Sequence, residues 1–255
     1  MTTGDRGRWV GYERMAQHVW PAAQRLLDLV GPPVAGGPLL DVGTGTGTAL
    51  TPAVERGWHP IGLDRSADQL ASIENTRGPL LLADGAAIPL ADRSITAAVS
   101  NFALIFAPDP GAVLGEIARC LSIGGACAWS AWSPGGWPGA WRLILAEATG
   151  RAAPPFPVTL GEDALARAAM DEAGFGSVSV EQRRLRWDVT DAGDAVDLLT
   201  TAAGGLRVLR RDVEAAGVWP ETRARLVDDA TARLVEGPTG MAIDDAYLAV
   251  VGVVG

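Results

Sequence analysis

The sequence predicts a doubly wound α/β domain, and three observations carry that expectation. Short apolar runs end in acids or glycines at 38–42, 59–64 and 79–84, segments with helical spacing separate them, and a glycine-rich turn follows the first run. Runs that are apolar throughout suit strands covered on both faces, and intervening helices suit parallel crossovers.

The elements follow in order. Residues 13–30 place Met15, Val19, Ala22, Leu26, Leu27 and Val30 at helical spacing, with Pro21 expected to kink the segment or to start a second helix. "PLLDV" reads as the first strand, 47–56 as a helix closed by Gly57, and "HPIGLD" as a second strand ending at Asp64. Ser66 should cap a helix running to about Asn75, "PLLLADG" gives a third strand ending near Asp84, and "SITAAVSNFAL" a fourth. Asp109 and Pro110 supply a cap and a first-turn proline for a helix with the inner face Val113, Leu114, Ile117 and Leu121, which Gly124 and Gly125 should end. "ACAWSAW" reads as the fifth strand. Beyond Trp132, "SPGGWPGAW" and "AAPPFP" read as loops, a helix is expected at about 161–173, and "GSVSVEQRRLRWDV" alternates like an exposed antiparallel strand. Two or three helices fill 191–236, and "DAYLAVVGVV" supplies a last strand whose apolar character suits pairing across a homodimer.

Composition narrows the function. A formal charge of -9 repels phosphate backbones and anionic lipid, so nucleic acid and membrane are not expected partners. All 21 basic residues are Arg, which removes any lysine base or Schiff-base chemistry. The uncharged run from Cys120 to Trp141 is as long as a membrane span, but glycines and prolines interrupt it. Cys120 and Cys127 lack a nearby histidine to complete a metal site, so no metal is expected; they read as buried thiols of a reducing cytoplasm. The start "MTTGDRGRWVGY" has no apolar core for a signal peptide, which also suits a cytoplasmic location.

The turn "LLDVGTGTG" carries the chemistry. In a doubly wound sheet the first strand-to-helix turn borders the ligand crevice, and Gly43, Gly45 and Gly47 let the backbone turn sharply and meet a ligand closely. The pattern is G-x-G-x-G, with Asp41 two residues before it, rather than the G-x-G-x-x-G of a pyrophosphate site. A nicotinamide dehydrogenase is therefore disfavoured. Asp64 can accept hydrogen bonds from adjacent ribose hydroxyls, and Asp84 from an adenine amine. Acids at three strand ends suit a ligand that is a cation at one end and a nucleoside at the other.

With "LLDVGTGTG", "GLD", "ADGAAIPL", "ADRSITAAVSNFALIFAPDP" and "EIARCLSIGG", the chain resembles the class I S-adenosylmethionine-dependent methyltransferases, nearest to the group related to ubiquinone and menaquinone biosynthesis methyltransferases. The likeness spans residues 38–132, and the departure is Ser122 and Ile123 where the family usually has a basic residue and proline. It implies a Rossmann-like, mostly parallel seven-stranded sheet with an antiparallel C-terminal strand and extra helices forming a cap. Within a single domain over 1–255 it implies a helical lid at 1–36, a cofactor core at 37–132, a substrate-side region of loops and inserted helices at 133–240, and the last strand at 241–255. It implies S-adenosylmethionine as cofactor, while the Trp, Phe and Leu content of 133–236 suggests a small, partly apolar methyl acceptor, methylated at oxygen, nitrogen or carbon. Asp41, Gly43, Thr44, Gly45 and Gly47 would surround the methionine part and Asp64 the ribose. Arg65 would cover the adenine, with Asp84, Gly85 and Ala86 at its edge, and Asn101, Phe102 and Ala103 would lie near the sulfonium. A protein that holds S-adenosylmethionine without transferring its methyl group shares every one of these residues.

The acceptor side is less determinate. Phe106, Trp132 and Trp137 are the candidates for its wall, since aromatic side chains offer large rigid surface. His18 and Tyr12 are the candidate bases, because a hydroxyl or carbon nucleophile gains from proton removal. Arg183, Arg184 and Arg186 read as charges that discourage pairing at a strand edge rather than as an anion site.

Overall fold

The computed structural model describes residues 13–34, 36–73, 78–150, 158–202, 204–237 and 240–255. Tyr12, the helix end expected near Asn75 and the "AAPPFP" stretch lie outside these residues.

Helix α1 (Glu13–Val30) buries Met15, Val19, Ala22, Ala23, Leu26 and Leu27 along one face. It runs through Pro21 as one helix. Pro21 sits on the exposed side, where water can satisfy the carbonyl that loses its partner. Strand β1 (Pro38–Val42) is buried at every position but the first, as a central strand covered on both faces should be. α2 (Leu50–Glu55) is shorter than the expected 47–56, because the residues before Leu50 belong to the glycine turn; Gly57 follows it with a positive φ of 85°. β2 (His59–Asp64) ends on the acid as expected, and Ser66 caps α3 (Ala67–Ala71) by accepting from the Gln69 N–H at 3.4 Å. β3 is only Leu80–Leu82, so Asp84 stands two residues past the strand rather than at its end.

β4 (Ile95–Ser100) leads through a 3-10 turn at Leu104–Phe106 to α4 (Pro110–Cys120), whose cap Asp109 accepts from the Ala112 N–H at 3.0 Å. Leu121 is not on that helix. It opens β5 (Leu121–Trp132), pairs with Ile95 and is buried in the sheet, and the residues between Leu121 and Ala126 bulge out of register. Gly124 and Gly125 therefore serve a bulge inside a strand, not a helix end: Gly124 has φ 78°, and a Cβ on Gly125 would lie 2.8 Å from the Ser122 carbonyl. The "SPGGWPGAW" segment is also not all loop. α5 (Trp137–Ala148) starts within it, since Pro138 lies in the first turn, where a missing N–H breaks no helical bond.

α6 (Asp163–Glu172) precedes β6 (Phe175–Val189); α7 (Ala192–Ala202), α8 (Gly204–Ala215) and α9 (Trp219–Arg233) fill the expected helical stretch. The short β7 (Leu234–Gly237) pairs antiparallel with the last strand, β8 (Gly240–Val254). Seven strands lie in the order β3-β2-β1-β4-β5-β8-β6, with β7 as the eighth beside β8. β1 pairs parallel with both β2 and β4, and β4 with β5. The chain thus builds outward from β1 to β3 and then returns to β1's other side with β4, which puts the reversal of strand order between β1 and β4. β8 lies inside the order, so the apolar last strand is not the edge the sequence suggested for pairing with a second copy. β6 is. There Arg183 pairs with Glu181 at 3.9 Å, and Arg186 forms a two-bond fork with Asp244 at 2.9 Å.

Two compact units divide the described residues. One holds those of Val19–Ala131, Pro157–Arg183 and Tyr247–Gly255; the other holds those of Met1–His18, Trp132–Phe156 and Arg184–Ala246. Among the described residues no helix is long and apolar enough to cross a membrane.

Candidate active site

The first unit assembles most of the anticipated cofactor residues around the strand reversal. Gly43, Gly45 and Gly47 all take left-handed backbone, with φ of 72°, 56° and 81°. The N–H groups of Gly43 and Thr44 both donate to the Leu63 carbonyl, at 2.7 and 2.9 Å, which folds the turn back over β2. A Cβ on Gly43 would stand 2.3 Å from the Ala103 Cβ, so Ala103 packs directly on the bare α-carbon. Gly45 is different: the nearest atoms to a Cβ there are 4.0 Å away. Its face of the turn is open to a ligand.

Two carboxylates brace this turn. Asp41, buried at the end of β1, accepts from the Thr44 hydroxyl at 2.7 Å. Burial pushes the Asp41 carboxyl up to about 7; the Thr44 bond opposes that rise and the nearby Asp64 charge adds to it. Asp64 accepts from the Gly45 N–H at 2.9 Å through one oxygen and from the Ser66 N–H at 2.8 Å through the other. Burial also raises the Asp64 carboxyl, against the pull of the Ser66, Gly45 and Arg65 N–H groups and the Arg65 charge.

Across β1, the residues after β4 are fixed by a hydrogen-bond chain. Ser100 donates to the Val42 carbonyl at 2.8 Å. The Phe102 N–H donates to the Ser130 hydroxyl at 2.9 Å, the Ser130 hydroxyl donates to Asn101 Oδ1 at 2.9 Å, and Asn101 Nδ2 donates to the Val19 carbonyl at 3.2 Å. Phe102 is held at φ 53°, an uncommon conformation for a residue with a side chain, and its ring meets the Tyr247 ring edge-on at 5.6 Å. Gly85 backs onto Val42 and Val113, which places Asp84–Ala86 beside the end of β1. Asp84 itself is exposed and accepts from the Ala86 N–H at 3.0 Å; Arg65 is exposed as well.

Sequence reasoning missed the residues that secure these pieces. Ser130 is one. Arg119 on α4 is another: it donates to the Ile88 and Leu90 carbonyls, to Asp92 and to Glu116, while Glu116 accepts from the Ile88 N–H at 2.9 Å. These bonds raise the Arg119 guanidinium and hold the Glu116 carboxyl low. A basic residue one turn after an acid in "GEIARC" was the available signal, and it points equally well to an ordinary surface pair.

The second unit contains an aromatic cluster. His18 stacks on Trp187 at 5.1 Å, and Trp132 and Trp137 approach the same ring at 5.6 and 5.3 Å. Trp137 also meets Trp141 edge-on at 5.0 Å, and Trp141 donates its indole N–H to Asp229 at 2.7 Å. Trp132 and Trp137 thus share one cluster around Trp187, which the sequence reading left out. Phe106 is in the other unit, 41% exposed.

A family model described as a methyltransferase domain matches residues 40–129. The nocamycin O-methyltransferase of Saccharothrix syringae is 32% identical over 258 residues, which cover 89% of this chain and 89% of that protein. The chain belongs to the class I S-adenosylmethionine-dependent methyltransferases. A shorter likeness, 33% identical over 93 residues, joins 36% of this methyltransferase to 41% of a demethylmenaquinone methyltransferase from Corynebacterium kroppenstedtii. Among solved structures, the phosphoethanolamine N-methyltransferase 2 of Haemonchus contortus, in complex with phosphomonomethylethanolamine and S-adenosylhomocysteine, matches with a TM-score of 0.60 at 15% identity. That match covers 98% of this chain and 58% of the other, and shows a shared fold.

Proposed function

We propose that the ends of β1, β2 and β4 hold S-adenosylmethionine and that this methyltransferase alkylates a hydroxyl of a small, partly apolar acceptor. The observation that carries the first half is the grip of Asp64 on the glycine turn. Each of its oxygens accepts one backbone N–H, which leaves a lone pair on each for two adjacent ribose hydroxyls. The open face of Gly45 admits a ligand at van der Waals distance. A cationic group set beside the raised carboxyls of Asp41 and Asp64 offsets the cost of their burial. Bound S-adenosylmethionine supplies a methyl group activated by sulfonium. Gly43, Thr44 and Gly47 complete the methionine side, Arg65 and Asp84–Ala86 the adenine side, and Asn101–Ala103 the wall nearest the sulfonium.

The acceptor half of the reading rests on the aromatic residues and on one relative. Trp132 and Trp137 give apolar surface suited to a small ring system, Phe106 stays a separate candidate, and the relative named as an O-methyltransferase points to an oxygen nucleophile. His18, stacked on Trp187, is the base, and Tyr12 is the other candidate. Two buried free thiols suit a reducing cytoplasm, and the acidic surface suits neither nucleic acid nor membrane.

Isothermal titration with S-adenosylmethionine, followed by assay of S-adenosylhomocysteine with phenolic and enolic acceptors, tests both halves. Saturable heat and product release support them; no heat overturns the cofactor assignment, and heat without product from any hydroxyl compound overturns the acceptor class.

A further inference from the structure

The second unit contains a set of buried polar atoms with nothing to bond. Asp245 is 4% exposed, Trp137 and Trp187 are fully buried, and Ser133 is 9% exposed. One oxygen of Asp245 accepts from the backbone N–H groups of Trp137 and Ala246, at 3.3 and 3.0 Å. Its other oxygen has no partner among the described residues, nor do the indole N–H groups of Trp137 and Trp187 or the Ser133 hydroxyl. The residues that carry them are neighbours. The Trp137 and Trp187 rings lie 5.3 Å apart, the Ser133 N–H donates to the Ala246 carbonyl at 3.2 Å, and a Cβ on Gly136 would stand 2.6 Å from Asp245. Only a glycine there lets the carboxylate approach the start of α5 so closely.

Buried polar groups in folded proteins almost always find partners, and each one left unmade is costly. Four such atoms on neighbouring residues around the start of α5 point to a ligand that completes them. We propose that the free oxygen of Asp245 and the indole N–H groups of Trp137 and Trp187 recognise a neutral, planar acceptor carrying both a hydroxyl and a carbonyl. The chemistry selects this class. A carboxylate oxygen only accepts and an indole N–H only donates, so the ligand must offer a donor and an acceptor together. An ammonium has donors alone and would leave both indoles unpaired. The aromatic edges and faces around Trp187 match a flat ring system rather than a flexible chain. Burial pushes the Asp245 carboxyl up to about 7, against the two backbone N–H groups and the Arg233 charge, so its free oxygen is an acceptor alone above that pH, where the titrations below are run.

The inference deepens the acceptor half of the function proposed above and rests on the reading of this unit as the acceptor side; it is independent of where the cofactor binds. The test uses three probes of one shape on the full chain by calorimetry: 6-acetyl-2-naphthol, 2-acetylnaphthalene and 2-naphthylmethylammonium. The hydroxy ketone should bind about tenfold or more tighter than either of the others, the scale of a lost hydrogen bond to a charged group. Asp245→Asn keeps the shape and the acceptor for the two backbone N–H groups but turns the free oxygen into a donor. It should remove the preference for the hydroxyl while leaving 2-acetylnaphthalene and S-adenosylmethionine affinities unchanged. Trp187→Phe, should Asp245→Asn not fold, should cut the affinity of both acetyl compounds and spare S-adenosylmethionine. Equal binding of the three probes, tighter binding of the ammonium, no heat from the hydroxy ketone, or an unaltered preference in the folded variants overturns the proposal. Loss of S-adenosylmethionine binding in the wild-type chain would instead overturn the cofactor assignment.

Discussion

Asp64 holds Gly45: a carboxylate oxygen at the end of β2 lies 2.9 Å from the backbone nitrogen at the middle of the glycine turn. The same acid therefore shapes the turn and, in the function proposed above, also faces the ligand. Asp64→Ala removes the brace and two acceptor oxygens at once. S-adenosylmethionine affinity should fall by about 1–3 kcal/mol, measured by titration calorimetry. Unchanged affinity would mean the ribose lies elsewhere.

Gly43 and Gly45 share a positive φ but differ in their surroundings, which separates two effects that a glycine motif usually confounds. At Gly43 an added methyl collides with the Ala103 Cβ at 2.3 Å, so Gly43→Ala should cost stability through both strain and overpacking, about 2–4 kcal/mol in all. At Gly45 nothing lies closer than 4.0 Å, so Gly45→Ala should cost about 1 kcal/mol of backbone strain alone and act mainly on ligand approach. Urea midpoints of the two variants should rank in that order, and equal midpoints would contradict the packing assigned to Ala103.

The glycine turn, Asp64 and the capped helix α4 were legible because each is specified by residues within a few positions of one another. The Ser130 link to Phe102 spans 28 residues and the Asp245 link to Trp137 spans 108, and no local pattern encodes either. Trp137 shows a different failure. Glycine and proline on either side of it read as loop, yet a proline in a helix's first turn is tolerated, so the same residues open α5. The spacing of Leu121 fits a helix face, but its pairing with Ile95 in the sheet prevails over that local pattern.

Burial pushes the Asp41 carboxyl up to about 7 in the fold, against 3.8 for an unperturbed carboxyl. The folded chain thus binds more protons than the unfolded one between those values, so this group's contribution to stability declines as pH rises through that window and is level above it. Asp41→Asn removes the titration. The variant's stability relative to the wild type should improve between pH 5 and pH 8, read from paired urea midpoints. A difference that stays flat with pH would show that the carboxyl is not raised.

Arg119 fastens the loop after β3 by donating to the carbonyls of Ile88 and Leu90, each at 2.9 Å, while its Glu116 partner takes the Ile88 N–H. Lysine cannot reproduce a fork that reaches two carbonyls and two carboxylates. Arg119→Lys should loosen residues 84–92, weaken S-adenosylmethionine binding several-fold, and leave analogues without the adenine ring unaffected. Hydrogen exchange at Ala86 to Leu90 checks the first effect, and competition titration the others.

Ser130 links the Phe102 backbone to the Asn101 side chain. Its hydroxyl accepts from the Phe102 N–H in buried surroundings and donates to the half-buried Asn101 Oδ1, and the Phe102 backbone is itself held at φ 53°. Ser130→Ala keeps the volume nearly constant, so packing should survive while the Phe102 N–H and Asn101 Oδ1 each lose the Ser130 hydroxyl, at about 1–3 kcal/mol in all. Left-handed backbone on a phenylalanine needs its surroundings to enforce it, and removing the acceptor lets the peptide relax. Because Asn101 and Phe102 form the wall assigned to the sulfonium end while Asp64 grips the other, positioning should suffer more than binding. Turnover should drop at least tenfold with the KM for S-adenosylmethionine changed less than threefold, on the scale by which small misplacements slow a reaction that depends on alignment. Steady-state kinetics at saturating acceptor separates the two, and a rise in KM with turnover intact would place these residues at the adenosine end instead.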